Sequence, residues 1–336
     1  MSLSGAVGKP TRPESVQAAP RSQSAKASPL QDSGTVAASS IASRFGLRLS
    51  QVNNDRQFTM RSSAWLLQFE VDSRDCIIGG QRVFLGAPVR MIRGEPHFSR
   101  IDADRLISPI LRPGYGQSAV PRLRTIVLDA GHGGSDSGKT NAKLGLMEKT
   151  LTLDTVMRIK RLLERDGYRV LLTRSDDRFV PLPDRPELAE KSDADLFVSV
   201  HFNSVVNSAD TVTGIEVYTM APRNQLSTDQ HPDPTYAPIA NPGNANDHWN
   251  SVLGYAVHKS LQDELSVSDR GMKRSRYAVL RLAPCPAVLI ESGFLSNDVE
   301  ARRLATPSYR QRIAEGIASG IARYATLLEG ARRSVR

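Results

Sequence analysis

The stretch Thr125-Ile-Val-Leu-Asp-Ala-Gly-His-Gly-Gly-Ser-Asp-Ser-Gly138 decides how this chain is read. Thr125 to Leu128 are β-branched or apolar and make a strand, which runs directly into a glycine-rich turn with His132 at its apex. In open α/β sheets, ligands bind in the crevice at the carboxyl ends of the strands, and glycines there let the backbone fold away from a bound group. His132 is therefore placed to face a ligand. Phosphate is the usual rival for such a turn. This one lacks both the Lys-Ser/Thr ending of a P-loop and the spacing of a dinucleotide fingerprint.

Downstream, strand and helix patterns alternate. Glu148 to Asp166 reads as a helix, with Leu153, Val156, Ile159 and Leu163 at steps of three and four and Gly167 as its stop. Tyr168 to Thr173, Leu196 to Val200, Gly214 to Thr219 and Ala287 to Ile290 read as strands, with a helix near Asp184 to Lys191. A last helix starts at Pro307 and places Ile313, Ile317, Ile321 and Leu328 on one face. The pattern predicts an α/β domain over 124–328, a mainly parallel twisted sheet with helices on both faces, followed by a basic tail at 329–336. Residues 220–249 are crowded with Pro, Asn and Asp and lack periodicity. They are expected to form an insertion near the active-site mouth.

Upstream, residues 1–38 are rich in Ser, Ala, Pro and Gln and read as a disordered leader. A small α+β domain is expected over 39–111, with strands at Trp65 to Val71 and Gln81 to Leu85, a Gly79-Gly80 turn between them and a helix from Asp102 to Leu111. Its Gly-Gly-Gln-Arg-Val-Phe-Leu-Gly-Ala-Pro-Val turn and strand and its Glu95-Pro-His-Phe-Ser run resemble the N-terminal domain of copper amine oxidases. The one histidine in that stretch, His97, gives no reason to infer copper. Residues 112–123, with Pro and Gly at both ends, read as a linker.

The chain has 336 residues and a formal charge of +9, which favours an anionic partner. The basic residues are scattered without interleaved aromatics, so a nucleic-acid surface is not expected. No apolar run approaches the ~20 residues of a membrane span. Cys76 and Cys285 fall in different predicted domains and are expected to be packed thiols. The N-terminal run MSLSGAVGKPTRPESVQ lacks the apolar core of a secretory signal, which by itself points to the cytoplasm.

Three further residues join His132 as candidates for chemistry. His201 ends the apolar strand of Ser199-Val-His-Phe-Asn203, on the same rim of the sheet. Glu148 opens a helix, where the helix dipole alone would favour a glutamate. Two imidazoles and a carboxylate form the ligand set of a catalytic zinc. Glu291 ends a buried strand, where a carboxylate is costly without a partner or a task. Asn203 and Arg185 are candidates for supporting or substrate roles, and His231, His248 and His258 are expected at the surface, the first two near the entrance.

Together, Asp129-Ala-Gly-His-Gly-Gly134, Gly145-Leu-Met-Glu-Lys149, Leu182-Pro-Asp-Arg185 with the strand to His201, and Glu291-Ser-Gly-Phe-Leu-Ser-Asn297 resemble the zinc-dependent N-acetylmuramoyl-L-alanine amidases over 124–324. The resemblance implies that His132, Glu148 and His201 bind Zn²⁺ and that Glu291 is the catalytic acid/base. It further implies cleavage of the amide between N-acetylmuramic acid and L-alanine of peptidoglycan by zinc-activated water, in the periplasm or outside the cell. A protein activator is a further expected partner. Two other readings are a zinc hydrolase of a different amide and a non-catalytic wall-binding module on the same scaffold.

Overall fold

The computed structural model describes residues 34–53, 56–228, 235 and 237–335. The N-terminal unit opens with β1 (Thr35–Ala37) and α1 (Ala38–Phe45). A meander follows: β2 (Arg48–Asn53), β3 (Gln57–Arg61), β4 (Leu66–Glu70), β5 (Asp75–Ile78) and β6 (Gln81–Phe84). Next come β7 (Arg90–Ile92), β8 (Glu95–Ser99) and a helical stretch made of α2 (Arg100–Asp102), a π turn (Ala103–Ile107) and α3 (Ser108–Leu111). Gly79 and Gly80, at φ 55° and 80°, make the tight turn between β5 and β6, a conformation side-chain-bearing residues rarely adopt. Residues 1–33 of the stretch read as leader lie outside the described residues, and its last residues are strand and helix, because Thr35 to Ala37 pair with Ser99 to His97 on β8 and so satisfy their backbone groups.

In the second unit β9 (Thr125–Ala130) leads to the short hairpin of β10 (Thr140–Asn141) and β11 (Leu146–Met147), then to α4 (Glu148–Arg165). β12 (Arg169–Leu172), α5 (Asp184–Lys191), β13 (Leu196–Asn203) and β14 (Ile215–Met220) follow. α6 (Asp247–Leu265), β15 (Asp269–Ser275), α7 (Ala278–Arg281), β16 (Ala287–Phe294), α8 (Asp298–Ala305) and α9 (Pro307–Val335) complete it. β12, β9, β13 and β16 lie parallel, β14 is antiparallel to β16, and β15 is parallel to β14. The parallel strands are buried on both faces, which explains their nearly unbroken apolar runs. One face carries Ile126, Val198, Val217 and Ile290 against α4, α6 and α9; the other carries Val127, Phe197 and Leu289 against α5 and α7. The fold is thus the expected mainly parallel α/β sheet with helices on both faces, beside a smaller N-terminal α+β unit.

The two units share one sheet. β15 pairs on its free side with β6, so the order β12-β9-β13-β16-β14-β15-β6-β5-β4-β3-β2 makes eleven continuous strands. Below that seam, buried Arg274 of β15 ion-pairs with buried Asp102. Asp102 also accepts hydrogen bonds from Gly86 N, Ala87 N, Ser99 Oγ and Gln225 Nε2. Cys76 and Cys285 are free and buried in separate clusters.

Several expectations change. The segment after Met220 leaves the sheet at the rim opposite His132, because β14 runs antiparallel to β16, and not at the mouth of the site as expected. Its described part turns to the N-terminal unit through Gln225, and from Asp247 it is already helix. His248 is buried in the first turn of α6, with Nε2 2.6 Å from Pro113 O and Nδ1 3.1 Å from Gln117 Nε2. It anchors the linker and does not line an entrance. His258 is also buried, with Nε2 2.9 Å from Asp269 Oδ1. His231 lies outside the described residues. The basic residues after Leu328 continue α9, held by buried Ala331 and a hydrogen bond from Arg332 to Pro121 O. Among the described residues, no helix is long and apolar enough to cross a membrane.

Candidate metal centre and active site

The site begins where β9 ends. His132 adopts φ 62°, a left-handed conformation that costs a residue with a Cβ about 1–3 kcal/mol and persists only when its surroundings enforce it. Buried Arg185 enforces it: Nη2 donates to His132 O at 3.0 Å, and Nη1 donates to Ala130 O at 2.9 Å and to Asp129 Oδ1 at 2.8 Å. Asp129 is itself buried and accepts from Thr173 and Ser199. Buried Arg174 secures the same turn from the other side by donating to Ala130 O and Gly131 O. Arg185 therefore shapes the loop; Asn203, the other supporting candidate, donates to Glu216.

Glu148 reaches the site from the first turn of α4, where it is buried. Its Oε1 lies 3.0 Å from His132 Nε2 and 3.1 Å from His201 Nδ1, and accepts from Phe202 N at 3.0 Å. Its Oε2 accepts from Lys139 N at 2.8 Å. The structure thus brings His132, Glu148 and His201 together, with one possible ligand atom from each lying within 4.8 Å of the others. Glycines make this approach possible. A Cβ on Gly131 would lie 2.3 Å from His201 Cε1, and one on Gly138 2.5 Å from His132 Cδ2.

The donor set fits a zinc ion: two imidazole nitrogens and one carboxylate, with room in the coordination shell for water. A feature absent from the sequence reading strengthens the fit. His132 Nδ1 lies 2.8 Å from Asp136 Oδ2, the carboxylate-to-imidazole contact that orients a metal-binding histidine. Burial alone would lower the His132 pKa, but hydrogen bonds and charge from Glu148 and Asp136 outweigh it and raise the value to about 9. Burial opposes ionisation of Glu148 too, yet both histidines hold its carboxyl well below the usual range. A proton shared by such a cluster is readily replaced by a cation.

Glu291 pairs with His201 across β13 and β16. Its Oε2 is buried without a hydrogen-bond partner among the described residues, and burial, then the charges of Glu148 and Glu216, push its pKa well up. Beyond it stands Glu216, the antiparallel neighbour of Glu291, bound to Lys273 and Arg270 of β15. Asp136, Arg174, Glu216, Lys273 and Arg270 were not singled out in the sequence. Asp136 does have a local signal, sitting four residues after His132 in the same glycine-rich turn.

A cluster able to hold a metal, set beside an unpartnered carboxylate at the strand ends of an α/β sheet, has the make-up of a hydrolase active site. The family model described as N-acetylmuramoyl-L-alanine amidase matches residues 126–323, and the chain belongs to this family of peptidoglycan amidases. It is 30% identical to the N-acetylmuramoyl-L-alanine amidase AmiC of Neisseria meningitidis over 71% of this chain and 60% of that protein, so it spans about three-fifths of that relative. Among solved structures, AmiC2 of Nostoc punctiforme superimposes with a TM-score of 0.50 at 34% identity, covering 60% of this chain and 97% of that one. The CwlD amidase from Clostridioides difficile, solved in complex with the GerS lipoprotein, gives a TM-score of 0.50 at 27% identity over 60% of this chain and 98% of that one.

Proposed function

We propose that this chain hydrolyses the amide joining the lactyl group of N-acetylmuramic acid to L-alanine, with Zn²⁺ held by His132, Glu148 and His201 and with Glu291 as acid/base. The observation that carries the reading is the orphaned Oε2 of Glu291 beside a two-histidine, one-glutamate cluster. Zinc in such a site polarises a carbonyl and lowers the pKa of water toward ~7. The chain's own residues supply the rest. Asp136 fixes the His132 ring through Nδ1, and Arg185 holds the loop that carries it. Glu291 Oε2 accepts a proton from the attacking water and returns it to the nitrogen of the leaving L-alanine. The C–N bond breaks, leaving a lactyl carboxylic acid and a free amine. A cation at the cluster would offset the charge of Glu148 and so favour the ionised Glu291 that this step requires.

Peptidoglycan as substrate assigns the protein to the periplasm or the cell exterior. A protein activator belongs to the same reading, prompted by the GerS complex of CwlD. The test is digestion of purified sacculi by the wild type, with and without a chelator, and by Glu291→Gln. Free L-alanine amino groups on intact stem peptides are expected only from the metal-loaded wild type. Release that survives chelation, or persists in a zinc-loaded Glu291→Gln, would overturn the assignment.

A further inference from the structure

Glu216 is buried next to Glu291, and both its oxygens are fully engaged. Oε1 accepts from Lys273 Nζ at 2.8 Å and Arg270 Nε at 2.9 Å; Oε2 accepts from Tyr218 OH at 2.6 Å and Asn203 Nδ2 at 2.9 Å. One carboxylate therefore carries two cations, and these differ in what else they do. Lys273 is the inner one, 17% exposed, and its charge also acts on Glu291. Arg270 is the outer one, 33% exposed, with its guanidinium 5.0 Å from the centre of the Phe294 ring. Only Nε of Arg270 is committed; Nη1 and Nη2 make no hydrogen bond among the described residues. Glu300, another carboxylate within its field, already accepts from Gly214 N and Phe294 N.

The position suits a substrate contact. Arg270 is the second residue of β15, and Asp269 before it pairs with Ile215, the first residue of β14. Because β14 runs antiparallel to β16, Arg270 sits at the rim where β16 ends and Glu291 works. Two strand spacings of about 4.8 Å separate β15 from β16, or about 10 Å. Two residues of extended peptide cover about 7 Å, and an arginine side chain closes the remainder. The residue after L-alanine in a peptidoglycan stem is D-glutamate, linked through its side-chain carboxyl, so its α-carboxyl is free unless amidated.

We propose that Arg270 is a specificity-determining residue that takes this α-carboxylate on its free Nη1/Nη2 edge, so that the enzyme selects stems carrying D-glutamate over those carrying the neutral amide. A planar two-donor edge facing a carboxylate is the strongest such pairing available to a side chain. The inference rests on the proposed amidase reaction.

The experiment compares kcat/KM on two muropeptides that differ only in this group, free acid or carboxamide, for wild type, Arg270→Gln and Arg270→Lys, with zinc content and Tm measured in parallel. The wild type is expected to prefer the acid by about tenfold or more, the scale of one charge-assisted hydrogen-bonded pair. Arg270→Gln should lose at least that much more on the acid than on the amide, and Arg270→Lys should recover part of the preference. Equal losses on both substrates would show that Arg270 only supports Glu216, and would overturn the proposal. A wild type that cleaves neither muropeptide would instead overturn the amidase assignment, and the specificity claim with it.

Discussion

Gly131 and His201 touch so closely that a Cβ at position 131 would lie 2.3 Å from Cε1 and 2.6 Å from both nitrogens of the His201 ring. The ring cannot keep its place beside Glu148 if that space is filled. Gly131→Ala is therefore expected to weaken zinc binding by about tenfold or more, the scale seen when a ligand loses its orientation, while leaving the sheet intact. Zinc stoichiometry after dialysis against graded chelator, alongside circular dichroism, checks this. Full zinc retention in the variant would show that His201 is not held where zinc needs it.

Asp136 offers a gentler perturbation of the same cluster. Its Oδ2 lies 2.8 Å from His132 Nδ1, and its Oδ1 accepts from Gly138 N, so it fixes both the ring and the turn. Asp136→Ala should lower zinc affinity by about 10–100-fold and reduce kcat/KM at limiting zinc, with recovery at saturating zinc. Activity titrated against free zinc distinguishes this from a loss of folding, which added metal would not restore.

The two histidines could be placed from the sequence because each ends an apolar strand, and strand ends on one rim of a parallel sheet converge. Glu148 could not, because a first-turn glutamate has an ordinary role at any helix start and its aim at Phe202 N and Lys139 N is a tertiary fact. β15 escaped notice for a related reason. Asp269, Arg270, Lys273 and Arg274 replace the expected apolar alternation, and Glu216 and Asp102, the partners of the three cations, lie far away in sequence. α6 was hidden differently. Packed against the sheet, α3 and α9, it is buried nearly all round, so it shows no amphipathic stripe, and its first turn follows directly on a Pro- and Asn-rich run. Where the chain leaves the sheet after Met220 is not legible, because the direction of β14 relative to β16 is not written in local periodicity.

Proton release on metal binding follows from the state of His132. Glu148 and Asp136 raise its pKa from 6.5 to about 9, so at pH 7.5 the metal-free imidazole holds a proton that zinc must displace. Zinc affinity should increase with pH up to about 9. The metal-free protein should behave oppositely. A folded-state pKa above the unfolded value gives stability that is complete below about 6.5 and is lost as pH rises through about 9. Calorimetric titration in buffers of different ionisation enthalpy should show close to one proton released at pH 7.5. Zinc binding with no proton release at that pH would mean that His132 is neutral before the metal arrives.

The Asp102–Arg274 pair sits under the strand pairing that joins the two units, and both side chains are buried. Asp102 meets five donors there, including the backbone N–H groups of Gly86 and Ala87, so its removal strands a buried guanidinium and leaves partly buried amides without that acceptor. Breaking one side of a buried ion pair costs about 3–5 kcal/mol, whereas replacing both sides with apolar groups costs much less. Asp102→Ala should therefore destabilise the protein by that amount, and adding Arg274→Met to it should recover part of the loss. Since β6 and β15 belong to one sheet and Met272 of β15 packs in the N-terminal core, unfolding of the wild type should be a single transition involving both units. Denaturant titrations followed by far-UV circular dichroism and by Trp65 and Trp249 fluorescence, one tryptophan in each unit, would test both points. Separate midpoints in the wild type, or an Asp102→Ala variant within 1 kcal/mol of it, would mean that the shared sheet does not couple the two units.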